Sequence, residues 1–323
     1  MQNLDQIIDR LVPTLAKLED GRKLYLSRRS RYLVLLFGPL ALLLLVAFTS
    51  DSKIPWFIGA GIWFVIGIIL YQVRAASLAS TYIRHYKRTV VPALLNTIDP
   101  GLQYDANSGI PSSTFVGTEL FKKSPDRYKT EDFIHGNYGK TYLQLAEIDA
   151  EERRTRTDSD GKTETYYVNI FDGLLLIADF HKHFHGRTFV FPDKSERSFG
   201  GVARFFQKMG GRRHTTLIRL EDPEFENAFA VYATDEVEAR YILSTAMLRR
   251  ILDMRKRFGE DVRLGFKESC LFLAVPHSAP FLEPKTSVPA TDPDQVRGML
   301  VELRFFLDTI EELDLNTRIW SKV

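Results

Sequence analysis

The sequence predicts an α+β protein: an N-terminal two-helix transmembrane hairpin, followed by a cytosolic mixed domain with a mainly antiparallel sheet and flanking helices. Three observations support this prediction. Two charge-free apolar segments lie close together near the N-terminus, strand-like segments alternate with turns over residues 100–275, and a heptad-like helix occurs at each end. A chain of 323 residues has room for about two domains.

The two apolar segments are residues 32–50 and 54–73, and neither contains a charged side chain. Each has about the 20 residues that a helix needs to cross roughly 30 Å of hydrocarbon. The connection Asp51-Ser52-Lys53 allows only a tight turn, so residues 31–73 are predicted to form a hairpin. A buried soluble hairpin is the alternative, but paired charge-free segments of this length are rare in soluble domains. A cleaved signal peptide would have a shorter charged segment before its apolar core.

Basic residues flank the hairpin on its outer ends, whereas the connecting turn contains only Lys53. Positive charge is retained on the cytosolic side. We therefore expect a multi-pass protein of the cytoplasmic (inner) membrane with both termini in the cytosol.

A juxtamembrane helix is predicted over residues 74–99. Its basic residues Arg84, Lys87 and Arg88 are candidates for facing anionic lipid headgroups, where each contributes about 1 kcal/mol. The alternative is ordinary positive charge flanking a span.

Amphipathic helices are predicted at both ends, over residues 1–30 and 294–323. Leucines and isoleucines recur at spacings of four and three, typical of a heptad seam, and Gly21 is predicted to end the first helix. We hypothesise that the two helices pack on each other or on a partner. The alternative is that each docks on its own domain. The seams are Leu4, Ile8, Leu11, Leu15 and Leu18, and Val296, Leu300, Leu303, Leu307 and Ile310.

Residues 100–275 are predicted to form the α+β domain, with a hairpin turn at residues 158–161, a helix over residues 199–209 and helices after an N-cap at Asp235. Residues 276–293 contain five prolines. Such a segment is predicted to be an extended linker.

Few residues suggest chemistry. Gly139-Lys140-Thr141 and Gly161-Lys162-Thr163 lack the preceding glycine of a phosphate-binding loop, so both are interpreted as turns. Cys270 is the single cysteine and is interpreted as a buried thiol of a strand. No basic motif indicates nucleic-acid binding.

The histidines His181, His183 and His185 are candidate zinc ligands, because residues two apart on a strand share a face. Gly186 is predicted to end that strand, and adjacent side chains of one strand converge poorly on one ion. A polar strand end is therefore the preferred interpretation.

Several stretches resemble a bacterial family, the domain-of-unknown-function family 3137. The resemblance covers roughly residues 90–275 and is most specific at Glu221-Asp-Pro223 and Val237-Glu-Ala-Arg-Tyr241. It implies a pair of spans before one such domain, genes often near those of LemA-type membrane proteins, and no established catalytic residues. In the family pattern the positions of His181 and His185 are frequently other polar residues. The other stretches are residues 128–136, 171–184, 186–193, 220–226 and 229–243.

These observations predict a membrane-anchored interaction module, with lipids and a protein as partners, no nucleic acid, no cofactor and no catalysis. A metal-dependent hydrolase using the histidines and a sensor of anionic lipid surfaces are the alternatives.

The hairpin predicts that a reporter fused directly after Lys53 lies outside the cytosol, whereas the same reporter fused after Val323 lies inside. A phosphatase and fluorescent-protein pair, each active on only one side of the membrane, measures this. Cytosolic behaviour of the reporter after Lys53 would contradict the topology.

Overall fold

The computed structural model describes residues 4–50, 53–179, 185–193, 215–277 and 279–318. The predicted helix over residues 199–209 lies outside them. In chain order the elements are α1 (Leu4–Thr49), α2 (Lys53–Ile98), β1 (Leu102–Asp105), α3 (Ser112–Gly117), β2 (Arg127–Tyr138), β3 (Thr141–Thr157), β4 (Thr163–Asp179), β5 (Thr188–Pro192), β6 (Thr216–Ile218), α4 (Pro223–Ala228), β7 (Phe229–Ala233), α5 (Glu236–Ile242), α6 (Thr245–Phe258), β8 (Arg263–Lys267), β9 (Cys270–Pro276) and α7 (Pro293–Arg318).

The chain divides into two compact units. The helical unit consists of Met1–Thr97 with Leu282–Met299, and the sheet unit consists of Ile98–Phe281 with Leu300–Val323. Helix α7 therefore starts within the helical unit and continues in the sheet unit.

Helices α1 and α2 are long and apolar enough to cross a membrane. Only 6% and 11% of their most apolar windows is buried, whereas the core helix of a soluble protein would be mostly buried. The two helices contact each other within these segments. The Trp63 indole N–H donates to the Leu36 carbonyl oxygen at 2.7 Å, and the Phe48 and Phe57 rings meet edge-on at 5.5 Å.

Helix α1 continues through Gly21, so the prediction that this glycine ends the helix is wrong. A glycine inside a helix costs only about 1 kcal/mol relative to alanine. The neighbouring side chains Leu18, Arg22 and Tyr25 are buried, and Tyr25 stacks on Tyr82 of α2 at 6.3 Å. We infer that this packing outweighs the local cost.

A buried carboxylate joins distant parts of the helical unit. Glu19 accepts two hydrogen bonds from the Arg22 guanidinium at 2.8 Å and one from the Ala290 N–H at 2.7 Å. Arg22 also donates to the Thr286 carbonyl oxygen at 3.2 Å. The proline-rich segment thus packs on α1 and contains the turns Lys285–Val288 and Pro289–Asp292, instead of forming the extended linker that was predicted.

The sheet unit contains nine described strands in the order β1-β2-β3-β4-β9-β8-β5-β7-β6, and every described pairing is antiparallel. This confirms the predicted α+β class. Its core is rich in aromatic rings: Phe115 stacks on Phe121 at 4.6 Å, and Phe121 contacts Phe171 at 4.9 Å. This cluster lies on one face of the sheet, where it includes Phe115 of α3 and Phe121 of the following turn. Residues of the opposite face, such as Val190, Val231 and Leu273, are buried as well.

A second buried carboxylate holds that turn. Glu119 has a φ of +61°, which is uncommon for a residue with a side chain. Its carboxylate accepts from Lys267 Nζ at 2.8 Å and from Arg187 at 3.1 Å. These two cations come from β8 and from the residue before β5, so Glu119 connects α3 to the middle of the sheet.

The seam residues whose burial is described lie buried in the chain itself: Ile8, Leu11, Leu15 and Leu18 of α1, and Val296, Leu300, Leu303, Leu307 and Ile310 of α7. In the sheet unit, Phe305 and Phe306 of α7 pack on Phe258 at 5.0 and 5.8 Å, and Arg250 donates to the Phe305 carbonyl oxygen at 3.0 Å. The second part of α7 therefore docks on its own domain, which was the alternative to pairing with a partner.

We expect Glu19→Gln to destabilise the helical unit by about 3 kcal/mol, because it leaves the buried Arg22 guanidinium without a counter-charge. Thermal unfolding of the detergent-purified protein and limited proteolysis of residues 282–292 measure this. Asp20→Asn is the matched control, because Asp20 is the next residue but is exposed. Equal effects of the two substitutions would contradict the role of Glu19.

Candidate interaction site

An open cleft of about 590 Å³ lies in the sheet unit, where β6 leads into α4 and where α5 leads into α6. Buried Leu243 and Leu248 form an apolar floor, and exposed Glu221 and Thr245 lie on the rim. The cleft is lined by Leu220, Glu221, Asp222, Pro223, Arg240, Leu243, Ser244, Thr245 and Leu248.

Helix capping fixes the walls of this cleft. Asp222 accepts a hydrogen bond from the Phe225 N–H at 3.1 Å and so begins α4, and Ser244 accepts from the Met247 N–H and so begins α6. Such caps satisfy backbone donors that a helix start leaves unpaired. The predicted cap Asp235 is confirmed, since it accepts from the Glu238 N–H at 3.0 Å.

Arg240 ties α5 to the opposite wall. Its guanidinium donates to Glu236 at 2.9 Å, as predicted for residues four apart, and to the Arg219 carbonyl oxygen at 2.8 Å. Glu226 of α4 accepts from the Leu220 N–H at 2.8 Å. Arg240 and Glu226 therefore form hydrogen bonds with backbone groups around the cleft. Glu221 forms no ion pair with any described residue.

Helix α5 also presents apolar side chains to solvent. Val237 is 78% exposed and Tyr241 is 45% exposed. Because they are four residues apart, they lie on one face of the helix. An apolar floor, a rim whose Glu221 has no ion pair among the described residues, and an adjacent apolar face suit the binding of another chain better than acid–base chemistry.

The histidine cluster is only partly described. His181 and His183 lie outside the described residues, and the His185 side chain is 90% exposed with Nδ1 3.8 Å from Glu238. Both Glu238 oxygens accept backbone N–H groups, from His185 at 2.8 Å and from Gly186 at 2.7 Å. Within the described ranges, no group of three His, Cys, Asp or Glu side chains could hold a metal ion.

The three basic residues of α2 differ from one another. Arg84 and Arg88 are exposed, whereas Lys87 is 3% exposed and forms an ion pair with Glu283 at 3.2 Å. Lys87 therefore does not present its charge to lipid as predicted, because the proline-rich segment covers it.

Cys270, His277 and Asp172 do not line the cleft. Burial, with the carboxylates of Asp179 and Glu268, raises the pKa of the Cys270 thiol to about 11, so the reactive thiolate is scarce at neutral pH. Burial lowers the pKa of His277, and burial with nearby Asp149 raises the pKa of Asp172. The His277 ring meets Phe281 edge-on at 6.2 Å, which is an apolar packing role.

Both Gly-Lys-Thr triplets form hairpin turns, as interpreted from the sequence. Gly139 and Gly161 have φ values of +58° and +76°, which glycine adopts readily. The cleft itself was not predicted. One feature of the sequence could have indicated the cleft. The two most specific stretches of the family resemblance, Glu221-Asp-Pro223 and Val237–Tyr241, both contribute residues to the cleft.

Residues 169–315 match the family model described as Protein of unknown function (DUF3137), which confirms the family predicted from the sequence. The matched residues include the whole cleft. A comparison with curated proteins gives no match.

Among solved structures, the chain is similar to the crystal structure of the mycobacterial trehalose monomycolate transport factor A, TtfA. The identity is 10%, the TM-score is 0.35, and the alignment covers 70% of this chain and 93% of that chain. This likeness is too weak to support any statement on function.

We expect purified protein to contain no stoichiometric zinc, and His185→Ala to leave the metal content unchanged, because the imidazole of His185 faces solvent and Glu238 is occupied by backbone donors. Elemental analysis of the protein measures this. Stoichiometric zinc that is lost on replacing His183 would contradict the prediction and favour the metal-dependent alternative.

Proposed function

We propose that the protein is a membrane-anchored interaction module whose sheet unit binds a protein partner through the cleft, at the inner surface of a bacterial cytoplasmic membrane. One observation carries this proposal. The two stretches that carry the family resemblance most specifically lie apart in the chain, yet Glu221-Asp-Pro223 and Arg240 line one open cleft.

The exposure of the apolar segments in α1 and α2 supports the anchoring part of the proposal. Apolar helix surface of this extent is stable in lipid and unfavourable in water. The basic residues that flank the outer ends of the hairpin support a cytosolic location for the remaining chain. Membrane lipids are then the first partner, and the exposed Arg84 and Arg88 are available to headgroups.

The chemistry of the cleft defines the protein partner. Leu243 and Leu248 offer a floor for an apolar side chain, which is the usual centre of a protein interface. Glu221 lies on the rim without a counter-ion among the described residues, so a basic residue of the partner would complement it. We therefore propose a partner segment with an apolar residue next to a basic one, and no catalysis.

A photo-crosslinking amino acid at Thr245 is expected to give one discrete adduct in the native membrane, because Thr245 lies exposed on the rim. The same group at Asp253, which is exposed on α6 but does not line the cleft, is expected to give none. Gel analysis of the adducts measures this.

A charge reversal then tests the rim. Glu221→Lys should reduce the Thr245 adduct at least tenfold, because it repels a basic partner residue. Glu224→Lys is the matched control: Glu224 is exposed, lies outside the cleft and pairs only with exposed Lys256 at 3.4 Å among the described residues. Equal adducts from Thr245 and Asp253, or equal losses from both reversals, would overturn the proposal.

A further inference from the structure

The hairpin of β3 and β4 continues beyond its neighbours in the sheet. The two strands pair as far as Thr157 and Thr163, but β2 leaves β3 at Glu151 and β9 leaves β4 at Gly173. We call residues 152–170 the arm. No other described strand pairs with it, and residues 153–166 are exposed on both faces.

The two edges of the arm differ in composition. The β3 edge is dense in charge, with Glu152, Arg153, Arg154 and Arg156. Charged side chains protect an exposed strand edge against pairing. The β4 edge, residues 163–170, has the sequence Thr-Glu-Thr-Tyr-Tyr-Val-Asn-Ile with one charge. Its aromatic and β-branched residues favour strand pairing.

The backbone of the β3 edge is also covered in part. Asp126 accepts from the Arg153 N–H at 2.7 Å, and its own N–H donates to the Glu151 carbonyl oxygen at 2.8 Å. Arg153 therefore directs its backbone groups away from β4. Two residues that face each other in an antiparallel pair either both direct their backbone groups toward each other or both direct them away. Tyr167, which faces Arg153, therefore directs its N–H and C=O to the open edge of β4.

Because the pattern alternates, Thr165 and Asn169 direct their backbone groups outward as well. We propose that the β4 edge of the arm pairs with the same edge of a second copy of this chain, antiparallel and centred on Tyr167. Thr165 of each copy then pairs with Asn169 of the other. The twofold symmetry makes the interface self-complementary.

The side chains fit this register. Tyr166 of one copy faces Val168 of the other, which is a favourable cross-strand pair. Residues 165–169 contain no charged side chain, so no like charges meet in this register. Arg127 lies over the Tyr167 ring at 3.3 Å and holds the central residue in place.

Confinement to one membrane favours the pairing of two such short edges. Tethering two copies to one surface raises their effective concentration, so a weak contact can associate them. This step rests on the proposed anchoring, whereas the edge itself is independent of the cleft.

The test uses the full chain with Cys270→Ser, which removes its only cysteine. Tyr167→Cys should form a disulfide between copies on mild oxidation in membranes, because residues facing each other in a hydrogen-bonded pair lie about 5.5 Å apart at Cα. Thr155→Cys, on the β3 edge of the same arm, is the control and should remain reduced.

Proline distinguishes the two edges. Thr165→Pro removes only an outward N–H, so the arm persists while the disulfide at Tyr167→Cys falls at least tenfold. Thr155→Pro removes the equivalent N–H of the β3 edge and should leave the disulfide unchanged. Equal crosslinking at both cysteines, insensitivity to Thr165→Pro, or crosslinking of Tyr167→Cys to a different protein would each overturn the inference. Loss of the Thr245 adduct would overturn the proposed function of the cleft but not this inference about the arm.

Discussion

A span in hydrocarbon must satisfy every backbone hydrogen bond within itself, and in a single hairpin only a helix does so. In this chain the helices continue well beyond their apolar segments. Helices α1 and α2 each contain 46 residues, and their most apolar parts are exposed, whereas Leu15 of α1 and Leu94 of α2 are buried. Each helix therefore has one exposed apolar part and another part that packs against protein, and the two parts differ in sequence.

Each unit uses a carboxylate to join segments that are distant in the chain. Glu19 joins α1 to the segment before α7, and Glu119 joins α3 to the cations near β5 and in β8. A buried ion pair is weak evidence for stability, because desolvation offsets its Coulomb energy. Its geometry is demanding, however, so such pairs favour one arrangement over others. We regard both carboxylates as determinants of how the segments dock.

Local patterns were sufficient for much of the fold. The hairpin turn at residues 158–161, the Asp235 cap and the α+β class follow from turn chemistry, capping and alternation. Tertiary packing was not accessible in the same way. Gly21 continues a helix because its neighbours are buried, and Lys87 is buried where it pairs with Glu283, a residue far along the chain. The cleft was missed because Leu243 and Leu248 have ordinary core character in the sequence, and only the fold places them beneath Glu221.

The hydrogen bond between Glu19 and the Ala290 N–H has a consequence for folding during synthesis. The Ala290 N–H is 271 residues away in the chain. At about 5–20 residues per second, roughly 10–50 s separate the translation of the two groups. During that interval α2 and the nine described strands are translated, while Glu19 and Arg22 still lack the backbone groups of residues 286–290. The first helix to be made is thus among the last to acquire its native surroundings, and a chaperone or the membrane surface has time to occupy it first.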